Sequence, residues 1–250
     1  MATLTSGSIT INNHDVVEDS VAAKYEIGLS PQEFKADLFF PVIDILLYQA
    51  GYYGIHRKDA RQIIEKMLKE YNLWDKRKVT VRELSGGMKR KISIIKALLH
   101  DPSILILDEP TAGLDVDSRY ELWQHVRDLR EKGKTIILTT HYIEEAERLC
   151  DRIGIINKGK LLTLDKKSNM MDKLSLNVIS IHLKGNVAIP KYVQSLNYER
   201  HNHRVDISVP QKKQGEVLQK ALDAFGRKNV SNFTIRQDTL EHIFRRIINE

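Results

Sequence analysis

An apolar run that ends in two adjacent carboxylates lies near the middle of the chain, in the segment ILILDEPTAGLD from Ile104 to Asp115. Such a continuous apolar run is typical of a parallel strand that is buried on both faces. Asp108 and Glu109 would then lie at the carboxyl end of the strand, where open α/β sheets bind ligands. Phosphate hydrolysis needs a divalent metal and a group that acts on water, and this pair could serve both. The alternative is a pair of carboxylates that only ends a strand.

Strands and helices alternate over residues 102–165, which predicts a parallel α/β sheet. After the carboxylates a helix is expected from about Asp117, with an apolar stripe along it and Gly133 just past its end. The next apolar run, TIILTTH, is predicted to be a second buried strand, followed by the short helix IEEAERLC and the strands RIGII and LLTL.

Two other parts of the chain have different patterns. About residues 33–100 contain the helical segments VIDILL, ARQIIEKMLKEY and KRKISIIKALLH with little strand between them, which predicts a helical subdomain. Beyond about Lys166, VISIHL and RVDISV alternate with period two and EVLQKALDAF is amphipathic. The expected organisation is therefore an α/β domain at residues 1–165 and a small α+β accessory region at residues 166–250.

Composition limits the compartment and the partners. The chain has 250 residues, 29% of them charged, and a net charge of +6, which indicates a globular protein with a core of its own. The positive charge is either an ordinary solvated surface or an attraction to acidic lipid or nucleic acid, and charge alone does not separate these. One cysteine, Cys150, excludes an internal disulfide and fits a reducing cytosol. With no signal peptide and no membrane-spanning segment expected, a membrane role would come through a partner.

The segment LSGGMKRK is a possible phosphate site. Ser85 is a good N-cap for the helix that follows. Gly86 and Gly87 leave backbone N–H groups free to approach an anion at the positive end of that helix. The alternative is an ordinary helix start that contains glycine.

Two further polar residues are expected near the carboxylates. His141 ends the strand TIILTTH, so it should lie beside Glu109 at the same sheet edge and could donate a hydrogen bond to a terminal phosphate. A lone histidine is more often structural. Gln32 follows a short predicted strand, and its carboxamide could contact a metal or a water molecule.

Together these segments resemble the ATP-binding subunit of ABC transporters. LSGGM at 84–88 matches the signature, ILILDEP the Walker B motif with its glutamate, and AGLD at 112–115 the D-loop. Gln32 and His141 match the Q-loop and the switch histidine. The resemblance covers roughly residues 4–165 and implies a P-loop NTPase-like ABC cassette, with a helical subdomain inserted beside a parallel sheet core. TTHYIEEAE, with the other motifs, looks most like the subfamily that serves exporters with a separate membrane subunit.

The resemblance also implies cofactors, partners and residue roles. ATP and Mg²⁺ are the expected ligands, and two subunits are expected to bind ATP between them, head to tail. An integral-membrane permease would dock near Phe34, Phe39 and Phe40, although core packing is the alternative for these aromatics. The protein would be cytoplasmic, peripheral on the inner face of the cell membrane, and without a nucleic-acid partner. The implied residues are Glu109 and His141 for catalysis, Gln32, Ser85, Gly86, Gly87, Asp108 and Asp115 for ATP, and Gln32 and Asp108 for Mg²⁺.

No phosphate-binding loop of the form G-x-x-x-x-G-K-[ST] occurs between Met1 and Asp108. GKT does occur at 133–135, but Asp128 stands where the first glycine is needed and a strand follows instead of a helix. We therefore expect an N-terminally incomplete cassette, through a truncated gene model, a split gene or a decayed gene. The missing strand and helix should leave the faces of SILILD and TIILTT partly uncovered.

The missing loop leaves more than one function open. An ATP-hydrolysing transporter subunit is the first hypothesis, with the chain alone expected to hydrolyse ATP at or near background. A non-hydrolysing or decayed subunit that completes a partner's ATP site, or acts as a regulatory binding module, is the second. A soluble ABC ATPase of DNA repair or translation is the third, and the single cassette without a long coiled coil disfavours it.

Overall fold

The computed structural model describes residues 4–174, 176–236 and 239–249. The chain divides into two compact units, Met1–Glu145 and Ala146–Glu250. This division lies before the predicted boundary at residues 165 and 166, because the segment from residue 152 to residue 166 forms a hairpin within the second unit. The assignment of residues 1–165 to one functional domain stays a prediction.

The helices and strands of the first unit include the predicted βα alternation. In chain order they are β1 (Thr10–Ile11), β2 (His14–Asp15), α1 (Ser20–Tyr25), β3 (Ile27–Ser30), α2 (Val42–Tyr52), α3 (Arg57–Glu70), α4 (Gly86–Leu98), β4 (Ile104–Asp108), α5 (Val116–Glu131), β5 (Thr135–Thr139) and α6 (Ile143–Leu149), the last of which runs across the division.

The central sheet of this unit is parallel, with strand order β3-β4-β5, which confirms the α/β prediction. One face is a core face, since Leu105 and Leu107 of β4 are fully buried. On the other face Leu29, Ile106 and Ile137 lie in one row across the three strands. Leu29 is 56% exposed and Ile137 is 50% exposed, so this row is uncovered. The prediction that both strands are buried on both faces is therefore wrong for this face, while the expected partial uncovering is observed.

Three helices follow one another between β3 and β4. Each buries an apolar stripe, which includes Leu46 on α2, Ile64 on α3 and Ile92 on α4. Short 3-10 turns at Trp74–Lys76 and Val81–Glu83 join α3 to α4. The segment predicted to be helical thus carries helices, and its standing as a separate subdomain stays a prediction.

Helix α5 follows the carboxylates Asp108 and Glu109, and its start is fixed by the N-cap residue Asp115. The Asp115 carboxylate accepts the Ser118 N–H at 2.9 Å, which satisfies a free donor of the first turn. Leu122 and Trp123 are almost fully buried along its stripe. Gly133 has φ +87°, so glycine suits the turn just past the helix, as predicted.

The second unit begins with an antiparallel hairpin rather than with further parallel strands. Its elements are β6 (Arg152–Asn157), β7 (Lys160–Lys166), α7 (Lys167–Leu174), β8 (Leu176–Leu183), α8 (Lys191–Gln194), β9 (Tyr198–His201), β10 (Arg204–Pro210), α9 (Gln214–Phe225), β11 (Val230–Arg236) and α10 (Leu240–Asn249). RIGII and LLTL pair with each other as β6 and β7. Their inclusion in the alternating region is corrected, because the NKGK turn is short enough to join antiparallel neighbours directly.

The rest of the second unit is a βαββαβ module. Its sheet has the order β11-β8-β10-β9 with antiparallel neighbours, which is the split βαβ arrangement. The inward residues of β8 and β10 pack with α9, as period-two alternation predicts for these strands. The expected small α+β region is therefore a module with a hydrophobic core of its own.

Candidate functional site

Four of the predicted residues meet at the carboxyl ends of the three parallel strands. Gln32 follows β3, Asp108 ends β4, Glu109 follows it, and His141 follows β5. The Gln32 side-chain amide donates to Glu109 Oε2 at 3.3 Å, and His141 Nδ1 lies 2.9 Å from the same oxygen. The Glu109 carboxylate therefore stands between an amide and an imidazole that come from different strands.

The backbone of Glu109 is in a conformation that non-glycine residues seldom adopt. Its φ is +45°, and its N–H donates to the Thr139 carbonyl at 3.0 Å and to the Thr139 hydroxyl at 3.2 Å. Left-handed backbone at a non-glycine residue carries strain that its surroundings must hold. The end of β5 thus fixes the turn that directs the Glu109 side chain towards Gln32 and His141.

Asp108 lies beside this cluster and is held from β5. The Thr139 hydroxyl donates to Asp108 Oδ1. Magnesium prefers oxygen ligands and is usually held by one or two carboxylates, water and substrate phosphates. Within the described part of the chain no group of three or more His, Cys, Asp and Glu side chains forms a metal cage. The Asp108 carboxylate and the Gln32 carboxamide carry oxygen atoms that could bind magnesium in this way, with few protein ligands.

The remaining predicted residues form a second cluster where α4 and α5 begin. The Ser85 hydroxyl accepts the Met88 N–H at 3.3 Å and so caps α4. The Asp115 carboxylate accepts the Ser118 N–H and, at 2.8 Å, the Ser118 hydroxyl. These bonds, first that from the backbone N–H, lower the pKa of Asp115.

The two glycines of the signature differ in their surroundings. A Cβ on Gly87 would lie 3.1 Å from the Ser118 hydroxyl oxygen, so the start of α4 touches the start of α5 there. A Cβ on Gly86 would meet nothing within 4 Å. Ser85 and Gly86 lie at the start of α4, and Gly86 is exposed, which leaves this end of the helix open to another molecule.

Arg90 is a site residue that sequence reasoning missed. Its side chain is 8% exposed, and its guanidinium donates to the carbonyl oxygens of Pro31 at 2.7 Å, Gln32 at 3.0 Å and Glu109 at 2.8 Å. Burial lowers the pKa of Arg90, against the opposing effect of the carboxylates of Asp108, Glu145 and Glu109. A signal was present, since Arg90 shares the buried stripe of Ile94 and Ala97 at i, i+4 and i+7.

The predicted docking aromatics differ in exposure. Phe39 is 71% exposed, with the Arg82 guanidinium 5.8 Å from its ring centre, and Phe40 is exposed in edge contact with Tyr48. Phe34 is half-buried and lines a cavity of about 480 Å³. Core packing is therefore excluded for Phe39 and Phe40 within this unit. Across the described residues no helix is long and apolar enough to cross a bilayer.

The fold is that of a P-loop NTPase-like α/β cassette with a run of helices between β3 and β4. The sequence model of the ABC transporter family matches residues 1–112. The linearmycin resistance ATP-binding protein LnrL of Bacillus subtilis is 32% identical over 247 residues, which cover 96% of this chain and 79% of that protein. The chain belongs to the ATP-binding domain family of ABC transporters, and its fold is the P-loop NTPase-like ABC fold.

Two further comparisons agree with this assignment. The Nod factor export ATP-binding protein I of Rhizobium etli is 38% identical over 178 residues, which cover 71% of this chain and 56% of that protein. A solved ATP-binding subunit of an ABC transporter superposes with a TM-score of 0.60 at 25% identity, over 66% of this chain and 69% of that one. The match thus spans little more than half the length of the Nod factor relative.

Proposed function

We propose that the chain is the ATP-binding and ATP-hydrolysing subunit of an export-type ABC transporter, which couples hydrolysis to transport by separate membrane subunits. The observation that carries this proposal is the approach of Gln32 and His141 to one oxygen of Glu109. A carboxylate oriented in this way at the ends of parallel strands suits the activation of water for phosphoryl transfer. The names of LnrL and of the Nod factor relatives, which state resistance and export, support the direction of transport.

Each residue has a distinct part in this proposal. Bound Mg²⁺ would neutralise charge on the phosphate oxygens, and Asp108 and Gln32 would hold it. Glu109 would orient or deprotonate the attacking water, and its own carboxylate is kept in place by the amide of Gln32. His141 would donate a hydrogen bond to the terminal phosphate.

A second subunit completes the proposed assembly. Ser85, Gly86 and Gly87 would contact the ATP held by this second subunit, together with Asp115 of the neighbouring loop. Support comes from the exposure of Gly86 and from the positive end of α4 at this point. The exposed rings of Phe39 and Phe40 would dock the permease, which would keep the protein peripheral on the inner face of the cell membrane.

The phosphate loop of this proposal must come from outside residues 1–250. The row of Leu29, Ile106 and Ile137 supports this, because a cassette that closed its own sheet would not leave Leu29 and Ile137 at its two ends half exposed. We propose that a strand and a helix that carry the loop cover this face. The present chain alone would then hydrolyse ATP at or near background.

One observation favours a second function. The segment LSGGM is present at the open end of α4 while residues 1–108 contain no phosphate loop, which supports a role in which Ser85, Gly86 and Gly87 would serve a partner's ATP. It could complete the site of a full subunit without hydrolysing ATP itself. Hydrolysis in a mixture with a complete subunit, lost on Ser85→Ala in this chain and insensitive to Glu109→Gln in it, would identify that function.

The decisive test of the first function is the Glu109→Gln substitution in a version extended N-terminally with a phosphate loop. The extended parent should hydrolyse ATP, whereas the variant should bind ATP and retain it, because the substitution keeps the shape but removes the carboxylate. Filter retention of labelled ATP and release of phosphate measure the two steps. Turnover within a few-fold of the extended parent would refute the role of Glu109.

A further inference from the structure

We propose that Arg90 is a positioning residue that links the signature end of α4 to the Gln32–Glu109 pair, so that the two nucleotide contacts of one chain move together. That these two places contact nucleotide is part of the proposed function, and the inference rests on it. The link between them is a set of hydrogen bonds and stands without that function.

The link joins two segments that are far apart in the sequence. The Arg90 Nη1 group donates to Pro31, and Nη2 donates to both Gln32 and Glu109, all at carbonyl oxygens. Three short bonds from one buried guanidinium tie the segment after β3 to the turn after β4. The side chains that meet at the Glu109 carboxylate therefore have their backbones fixed by the same group.

The other end of the link is the signature. Ser85 caps α4, and Arg90 lies five residues further along the same helix, about 7.5 Å of axial rise away. Beyond Arg90 the helix is anchored by fully buried Ile92 and Ile95. If the end of α4 that carries Ser85 moves, the helix would therefore move as a rigid body, and the carbonyl groups bonded to Arg90 would move with it.

The neighbouring basic residue, Lys91, makes different contacts. Lys91 Nζ pairs with Glu121 at 2.6 Å and lies 3.4 Å from the Tyr71 carbonyl, so it ties α4 to α5 and to the end of α3 instead. Arginine also suits position 90 better than lysine. Its planar fork has five N–H donors that can reach separate acceptors, whereas an ammonium group directs its three donors from one nitrogen.

The test uses the chain as it is, by NMR, with Arg90→Gln, Arg90→Lys and the matched control Lys91→Met. In Arg90→Gln, the Glu109 and Ala112 amides should exchange with solvent about tenfold faster, since hydrogen bonds that hold this turn are lost. The Gln32 side-chain amide signals should move to the positions of a glutamine without a hydrogen bond to Glu109. Arg90→Lys should restore part of both effects, and Lys91→Met should change neither while it lowers stability.

A second arm measures the coupling in the N-terminally extended chain that hydrolyses ATP. There Arg90→Gln should lower kcat about tenfold with KM little changed, because the Gln32–Glu109 geometry is needed in the transition state rather than in binding. If the extended parent has no ATPase activity, the proposed function fails, while the NMR arm still decides the link.

Three results would overturn the inference. Unchanged Glu109 exchange and Gln32 signals in a folded Arg90→Gln chain would show that the guanidinium holds neither segment. Equal effects from Lys91→Met would make them a general consequence of loosening α4. Unfolding of the whole first unit by both Arg90 variants would assign Arg90 to the core instead of to the site.

Discussion

At the scale of single residues, some residues of the candidate site can be predicted from the sequence and others cannot. Asp108, Glu109 and His141 can be placed because a parallel strand delivers its last residues to a known edge of the sheet. Arg90 cannot be placed in this way, because its acceptors are backbone carbonyls, which have no signature in the sequence. The helical period places Arg90 among buried residues but does not reveal what it touches.

The two signature glycines give a prediction at this scale. Gly86→Ala should raise the free energy of unfolding by roughly 0.5 kcal/mol, since alanine fits the helix and restricts the unfolded chain. Gly87→Ala should raise it less or lower it, because its Cβ would lie 3.1 Å from the Ser118 hydroxyl oxygen. Urea unfolding of both variants measures the difference. Adding Ser118→Ala should relieve Gly87→Ala and leave Gly86→Ala unaffected, and the absence of such relief would contradict the contact.

At the scale of helices and strands, the sequence predicts what local periodicity controls. The apolar stripe of α5 and the alternation of β8 and β10 are found where the sequence pattern predicts them. The pairing of β6 with β7 does not follow from the sequence pattern, because an apolar run gives a strand but does not name its neighbour. Likewise the apolar run of β5 predicts burial, since apolar residues mark a contact face even when nothing in the described residues covers it.

Two stacked, partly buried histidines of the first unit give a prediction for its stability in acid. His100 stacks on Tyr53 and His125 on Tyr71, and burial lowers the pKa of both from the ordinary 6.5. Below about pH 6.5 these histidines are protonated in the unfolded chain but still neutral in the folded chain. The free energy of unfolding therefore decreases as the pH falls, until the pH is below the lowered pKa of the folded state. Above about pH 6.5 both the folded and the unfolded chain leave these histidines neutral, so they add nothing to the pH dependence there.

His125→Phe tests this effect with the ring contact preserved. The variant should lose less stability than the parent as the pH falls from neutral to about one pH unit below the ordinary histidine pKa, as measured by urea unfolding. His203→Phe is the matched control, because it replaces an exposed imidazole of the same chain with the same side chain. An unchanged acid loss in His125→Phe would show that other groups titrate in this window.

At the scale of the whole molecule, the family assignment is secure while the sheet of the first unit has an uncovered face. The α/β fold follows from the alternation of strands and helices, and the α+β character of the second unit from the strands and helix beyond residue 166, whereas its βαββαβ strand order does not. The division at Glu145 and Ala146 does not follow from the sequence, because compactness depends on which strands pair and not on where a composition changes.

One substitution tests whether a further strand and helix cover the exposed face of the parallel sheet. In the present chain, Ile137→Lys should cost little stability and should raise solubility, since Ile137 is half exposed. In a chain extended N-terminally by a strand and a helix, the same change should cost several kcal/mol because it would bury a charge. The extended chain should also unfold more cooperatively.

Thermal and urea unfolding of both lengths give the comparison, with Leu105→Lys as a control that should destabilise both, because Leu105 is already fully buried. Equal small costs of Ile137→Lys in the two lengths, with equally sharp transitions, would show that the present chain closes its core without the added elements.

The uncovered sheet also bears on how copies of residues 1–250 behave towards one another in solution. Among the described residues β5 pairs only with β4, so its other edge offers free backbone donors and acceptors. The sequence of β5, TIILT, has no charge and no proline, which is the composition that permits strands of separate molecules to stack. Copies of residues 1–250 should therefore associate through this edge of β5 as their concentration rises.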